Sequence, residues 1–133
     1  MSRIFADSFY FFALLNPNDA AHERAVQFSN QHRRTAVDNG LGAHRIGRRL
    51  ARTAQRHLFR QVLRDLESNP DHKIVLHDEM LFRKGIDLYD ARPDKEWSLT
   101  DCISFVVMQD EIVNDALTGD QHYEQAGFRA LLK

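Results

Sequence analysis

Apolar residues recur along the chain in short blocks, and the changes in their spacing mark the elements. Arg3 to Ala6 is a brief apolar run without alternation, which predicts a strand buried on both faces. Ser8 is placed to cap a short helix over Phe9 to Leu15, and Asn16-Pro17-Asn18 ends it. A second helix is expected from Asp19 to about Gln31, with Ala21, Ala25, Val26 and Phe28 on its inner side. Periodicity fails between Thr35 and Gly47, which reads as irregular. It returns from about Arg48 to Glu67, where Leu50, Ala54, Leu58, Val62 and Leu66 recur every four residues and Phe59 and Leu63 widen the stripe. Asn69-Pro70 stops that helix.

Lys73 to Leu76 predicts another buried strand, and Asp78 to Tyr89 a helix. Ser98 is a good N-cap for a helix from Leu99 to about Gln109. Asp115 to Thr118, closed by Gly119-Asp120, and Phe128 to Leu132 read as the last strands. Strands that alternate with helices, without repeats or linkers, predict an α/β fold with a parallel sheet between helical layers.

Composition adds boundaries to that picture. With 133 residues, 43% hydrophobic and 28% charged, the chain can bury one core and is expected to form one domain over 1–133. Its only cysteine, Cys102, excludes an internal disulfide framework and any multi-cysteine zinc site, and suits a reducing cytoplasm. The longest apolar run, Phe9 to Leu15, is too short to span a bilayer. Only Arg3 precedes it and no small-residue cleavage site follows, so neither a signal peptide nor a membrane is expected.

The net charge of -1 hides an asymmetry. Residues 33–56 hold Arg33, Arg34, Arg45, Arg48, Arg49, Arg52 and Arg56 against the single acid Asp38. Such a window is either a stripe for phosphates or an ordinary solvated face.

In an open parallel sheet, ligands bind beyond the carboxyl ends of the strands. Asp7 and Asp120 follow two expected strands, and Asp101 lies in the first turn of the Leu99 helix, which can present it to the same cleft. Converging carboxylates repel, which raises at least one pKa unless a cation intervenes, and hard divalent ions take oxygen ligands. Each acid also has a plain structural use. Asp101 completes a capping box with Ser98, Asp7 caps the first helix, and Asp120 serves the turn after Gly119.

Three motifs in order carry a family resemblance. Ile4-Phe5-Ala6-Asp7-Ser8, followed by Ala13-Leu14-Leu15-Asn16-Pro17 with Asp19 and His22, resembles the opening of PIN-domain proteins, which include VapC-type toxins. Glu96-Trp97-Ser98-Leu99-Thr100-Asp101-Cys102 resembles the third acidic motif of that family. Ala116-Leu117-Thr118-Gly119-Asp120-Gln121-His122-Tyr123, running on to Ala126-Gly127-Phe128, resembles the fourth. The resemblance implies a PIN-like α/β/α sandwich with a central parallel sheet of about four to five strands. It also implies a metal-dependent endoribonuclease that cleaves RNA, with Mg²⁺ or Mn²⁺ held by Asp7, Asp101 and Asp120. Ser8 and Thr118 match supporting hydroxyl positions, and Asp115 is a candidate outer acid. A homodimer, and for toxin members an antitoxin partner, belong to the same expectation.

One departure matters. The family expects a glutamate in the helix after the second strand, and this chain has no acid between Asp38 and Asp65. The Arg/Gly-rich window occupies that place. Read one nucleotide later with free synonymous choice, Val37 to Leu50 can spell Trp-Ile-Thr-Asp-Trp-Val-Leu-Thr-Glu-Leu-Ala-Asp-Gly, its glutamate overlapping the Arg45-Ile46 codons. A compensated frameshift is therefore one reading of residues 33–56, and the coding DNA tests it. As it stands, the chain is expected to lose buried side chains there and to lack one carboxylate, with weakened metal affinity and impaired cleavage. A catalytically inactive PIN-like module that binds RNA or protein is the alternative.

Other signals are weaker. The seven histidines form no zinc pattern, and His122, which follows Asp120, is read as a surface residue ahead of one that approaches a phosphate. Phe9-Tyr10-Phe11-Phe12 reads as packing, Trp97 as a hydrophobic staple and Cys102 as a buried thiol.

Overall fold

A computed structural model describes residues 3–31, 36–52 and 55–133, with residues 31 and 42–44 described through their backbone. Among these, β1 (Ile4–Ala6), β2 (Ala36–Asn39), β3 (His72–Val75), β4 (Asp115–Leu117) and β5 (Arg129–Ala130) form one sheet in the order β3-β2-β1-β4-β5. Every pairing is parallel, so every carboxyl end opens toward the same edge. The helices are α1 (Ser8–Leu15), α2 (His22–Gln31), α3 (Gly40–Arg49), α4 (Arg56–Ser68), α5 (Glu79–Ala91), α6 (Leu99–Asp110) and α7 (Gln121–Gln125).

The two-residue alternation of a strand divides the core. Phe5, Val37 and Ala116 face the layer that holds Trp97, Ile103, Phe105, Met108 and Tyr123. Ile4, Ala6 and Leu117 face the opposite layer with Phe11, Ile46 and Leu50. Helices therefore cover both faces, which is why the short strands read as unbroken apolar runs. The expected α/β architecture with a central parallel sheet is what the chain forms.

The arginine window departs from the expectation. The stretch read as irregular contains β2, wedged between β1 and β3, and then α3. The single helix expected over 48–67 is two helices, because the stripe through Leu50 and Leu66 continues across the break between α3 and α4. Arg33, Arg34, Thr35 and Ala54 lie outside the described residues. Asp7, not Ser8, caps α1, and α7 was not anticipated.

The α6 helix carries one of the candidate acids, and its seat depends on a close approach. Gly85 of α5 is buried, and an alanine methyl there would lie 2.5 Å from Ile103 Cγ1. Gly85→Ala is expected to destabilise the protein by about 1–3 kcal/mol despite the better helix former, because the core would be overpacked. Urea unfolding reads this directly.

Candidate active site

Asp7 leaves the carboxyl end of β1 and turns the chain into α1 by accepting a hydrogen bond from Ser8 N at 2.8 Å. Its second oxygen accepts from Thr118 Oγ1 at 2.9 Å, from the residue just beyond the neighbouring strand β4. The same Thr118 oxygen accepts from Asp120 N at 3.1 Å. One fully buried hydroxyl thus fixes both acids. Gly119 stands between them because Phe9 packs on it: a Cβ there would lie 2.6 Å from Phe9 Cζ.

Asp120 in turn caps α7 through His122 N, at 2.9 Å. His122 Nδ1 lies 3.2 Å from Asp101 Oδ2 and 3.5 Å from Asp120 Oδ1. Asp101 is held by a complete capping box with Ser98 at the start of α6. The structural use of Asp101 and its place in the cluster therefore coexist. One ligand atom each from Asp101, Asp120 and His122 lie within 4.8 Å of one another. Behind them, Asn39 Nδ2 donates to Ser104 Oγ at 2.8 Å, and Tyr123 is buried on the same side.

Burial, more than repulsion between acids, sets the electrostatics. It pushes the Asp7 carboxyl above its ordinary value, against the hydrogen bond from Thr118, the positive charge of Arg45, and the bonds from Ser8 and Tyr123. Tyr123 is raised well above its usual value by burial and then by the Asp7 charge. Burial, with Asp101 nearby, also raises the Cys102 thiol and leaves it a poor nucleophile.

The sheet brings Asp7, Asp101, Asp120, Ser8 and Thr118 to one edge. Asp115 is the exception. It begins β4, level with Ile4, at the end of the strand away from the cluster, and both its oxygens are engaged by Arg129. The sequence reading noted His122 after Asp120 but favoured a surface role, and did not place it with Asp101 and Asp120. Asp38 does not stand in for the absent glutamate, because it is buried against His72. Two carboxylates and an imidazole at this spacing, beside a buried carboxylate, suit a divalent cation.

No protein-family model matches the sequence, and neither does any curated protein. Solved structures do match in shape. VapC20 of Mycobacterium tuberculosis, a sarcin-ricin loop cleaving toxin, superimposes with a TM-score of 0.82 at 19% identity, over 94% of this chain and 95% of its own. The fold is PIN-like. FitAcB from Neisseria gonorrhoeae matches with a TM-score of 0.68 at 15% identity, over 96% of this chain and 95% of its own. A toxin-antitoxin complex from Klebsiella pneumoniae matches with a TM-score of 0.64 at 13% identity, over 90% and 88%. In this PIN-like domain, no helix among the described residues is long and apolar enough to cross a membrane.

Proposed function

We propose that this chain is a metal-dependent endoribonuclease and the toxin of a toxin-antitoxin pair. One observation carries the reading: Asp101, Asp120 and His122 converge at the carboxyl edge of a PIN-like sheet, beside the Asp7 that Thr118 ties to Asp120. The shared shape with a toxin that cleaves the sarcin-ricin loop supports RNA as the substrate class.

Asp101, Asp120 and His122, with Asp7 alongside, would hold Mg²⁺ or Mn²⁺. Such an ion, when bound, activates water and offsets charge developing on a phosphate. The protein's own part is to hold these groups in place. Thr118 fixes Asp7 and Asp120 relative to one another, the Ser98 capping box fixes Asp101, and the Asp120 cap fixes His122. A protein antitoxin and a homodimer belong to the same reading. Exposed Leu76 and Met80, near the start of α5, offer apolar surface for a protein partner.

Purified protein is expected to cleave single-stranded RNA internally in Mg²⁺ or Mn²⁺ and to stop when EDTA is added. Cleavage that persists undiminished in EDTA sinks the metal assignment. The alternative, an inactive PIN-like binding module, is favoured by the cation Arg45 near Asp7 and by the lack of any acid in α3. Its signature is salt-sensitive RNA binding with no cleavage in either metal.

A further inference from the structure

We infer that Arg45 is a phosphate-positioning residue, which anchors a backbone phosphate of single-stranded RNA at the Asp7 side of the acidic cluster. The inference takes its substrate class from the nuclease reading above. The placement follows from the fold. Helices α1 and α3 both leave the carboxyl ends of neighbouring parallel strands, β1 and β2, so they run side by side in the same sense. Their alignment is fixed where the Arg49 guanidinium sits 4.2 Å above the Phe12 ring. One turn earlier on each helix lie Arg45 and Ser8, the residue that follows Asp7. The electrostatic pull of Arg45 on Asp7 agrees with that position.

Asp7 does not consume this guanidinium. Its two oxygens already take hydrogen bonds from Ser8 N and Thr118 Oγ1. Arg45 is exposed, and among the described residues no carboxylate forms an ion pair with it. Five fixed N–H donors facing solvent suit bidentate capture of a phosphate. A cluster of carboxylates would otherwise repel a polyanion, and a cation at its side offsets that repulsion. Arg48 and Arg52 are exposed further along the same segment and extend the positive surface away from the cluster.

The test is fluorescence anisotropy of a labelled single-stranded RNA across a salt series in EDTA, so that binding is read without cleavage. Arg45→Ala is expected to weaken binding by roughly ten-fold at low salt and to reduce the slope of log affinity against log salt by about 0.7. Arg45→Lys restores the slope but only part of the affinity, because the fork is lost. Arg83→Ala, in α5, serves as the charge-matched control and leaves both unchanged. In cleavage assays Arg45→Ala raises KM more than it lowers kcat. If Arg45→Ala binds with the wild-type affinity and slope, the inference is overturned, whatever the cleavage result. If Arg45 carries binding but wild-type protein cleaves nothing in either metal, the nuclease reading falls and the RNA contact stands.

Discussion

Replacing Asp101 with asparagine is expected to cut metal-dependent RNA cleavage by roughly 10²–10³-fold while leaving the fold in place. The amide keeps an oxygen that can accept from Ser98 N, as Asp101 Oδ2 now does at 3.0 Å, so the start of α6 stays capped. What disappears is the negative charge facing His122 Nδ1 and any cation shared with Asp120. Asp101→Ala loses both functions, and its further loss of about 1 kcal/mol in unfolding free energy separates the cap from the chemistry. Calorimetric titration with Mn²⁺ supplies a second readout, in which Asp101→Asn binds more weakly than wild type. Unchanged cleavage and unchanged Mn²⁺ binding together would remove Asp101 from the site.

The largest stability effect is expected at the other end of the polar inventory, in the buried pair Asp38 and His72. Asp38 is 1% exposed, and its Oδ2 meets His72 Nε2 at 2.7 Å. Its Oδ1 is buried without a hydrogen-bond partner among the described residues. Strand alternation turns this carboxylate toward the layer of Ile4, Phe11 and Ile46, where a valine or isoleucine would pack. His72→Ala removes the counterpart and is expected to destabilise the protein by about 3–5 kcal/mol. The double variant Asp38→Val with His72→Val is expected to recover that loss and to exceed wild type by about 1–4 kcal/mol, because neither polar group then needs a partner.

The pH dependence has a definite sign. Burial raises the folded-state pKa of Asp38 despite the His72 hydrogen bond, so the folded chain holds that proton more tightly than the unfolded chain. Stability therefore falls as pH rises from the ordinary carboxylate range through the raised folded value. Asp7 acts in the same direction, so the double variant flattens this slope without abolishing it. Urea unfolding at several pH values measures both effects. A double variant less stable than His72→Ala alone would contradict the account.

The same two residues explain what the sequence concealed. A strand announces itself by apolar residues facing the core, but β2 supplies Val37 and then Asp38 and Asn39, all buried. Polar side chains in a fully buried strand erase the signal, and three glycines in the following helix lower its propensity. In β1, β4 and α6 local preference and burial agree, so those elements were readable, and with them the placing of Asp7 and Asp120 just beyond strand ends and of Asp101 in the first turn of α6. His122 was weighed but left at the surface, because its place beside Asp101 and Asp120 has no periodic signature. The Asp115 expectation failed through its position, at the amino end of a strand whose carboxyl end forms the site.

The hydrogen bond from Thr118 to Asp7 joins residues 111 positions apart, and β1 meets β4 only through that late stretch of polypeptide. A nascent chain emerging from the ribosome can pair β1 with β2 long before the other half of the site has been translated. Until then Asp7 has no Thr118, Asp120 or His122 opposite it. The cluster is thus completed only once synthesis is well advanced, a consequence of strand order.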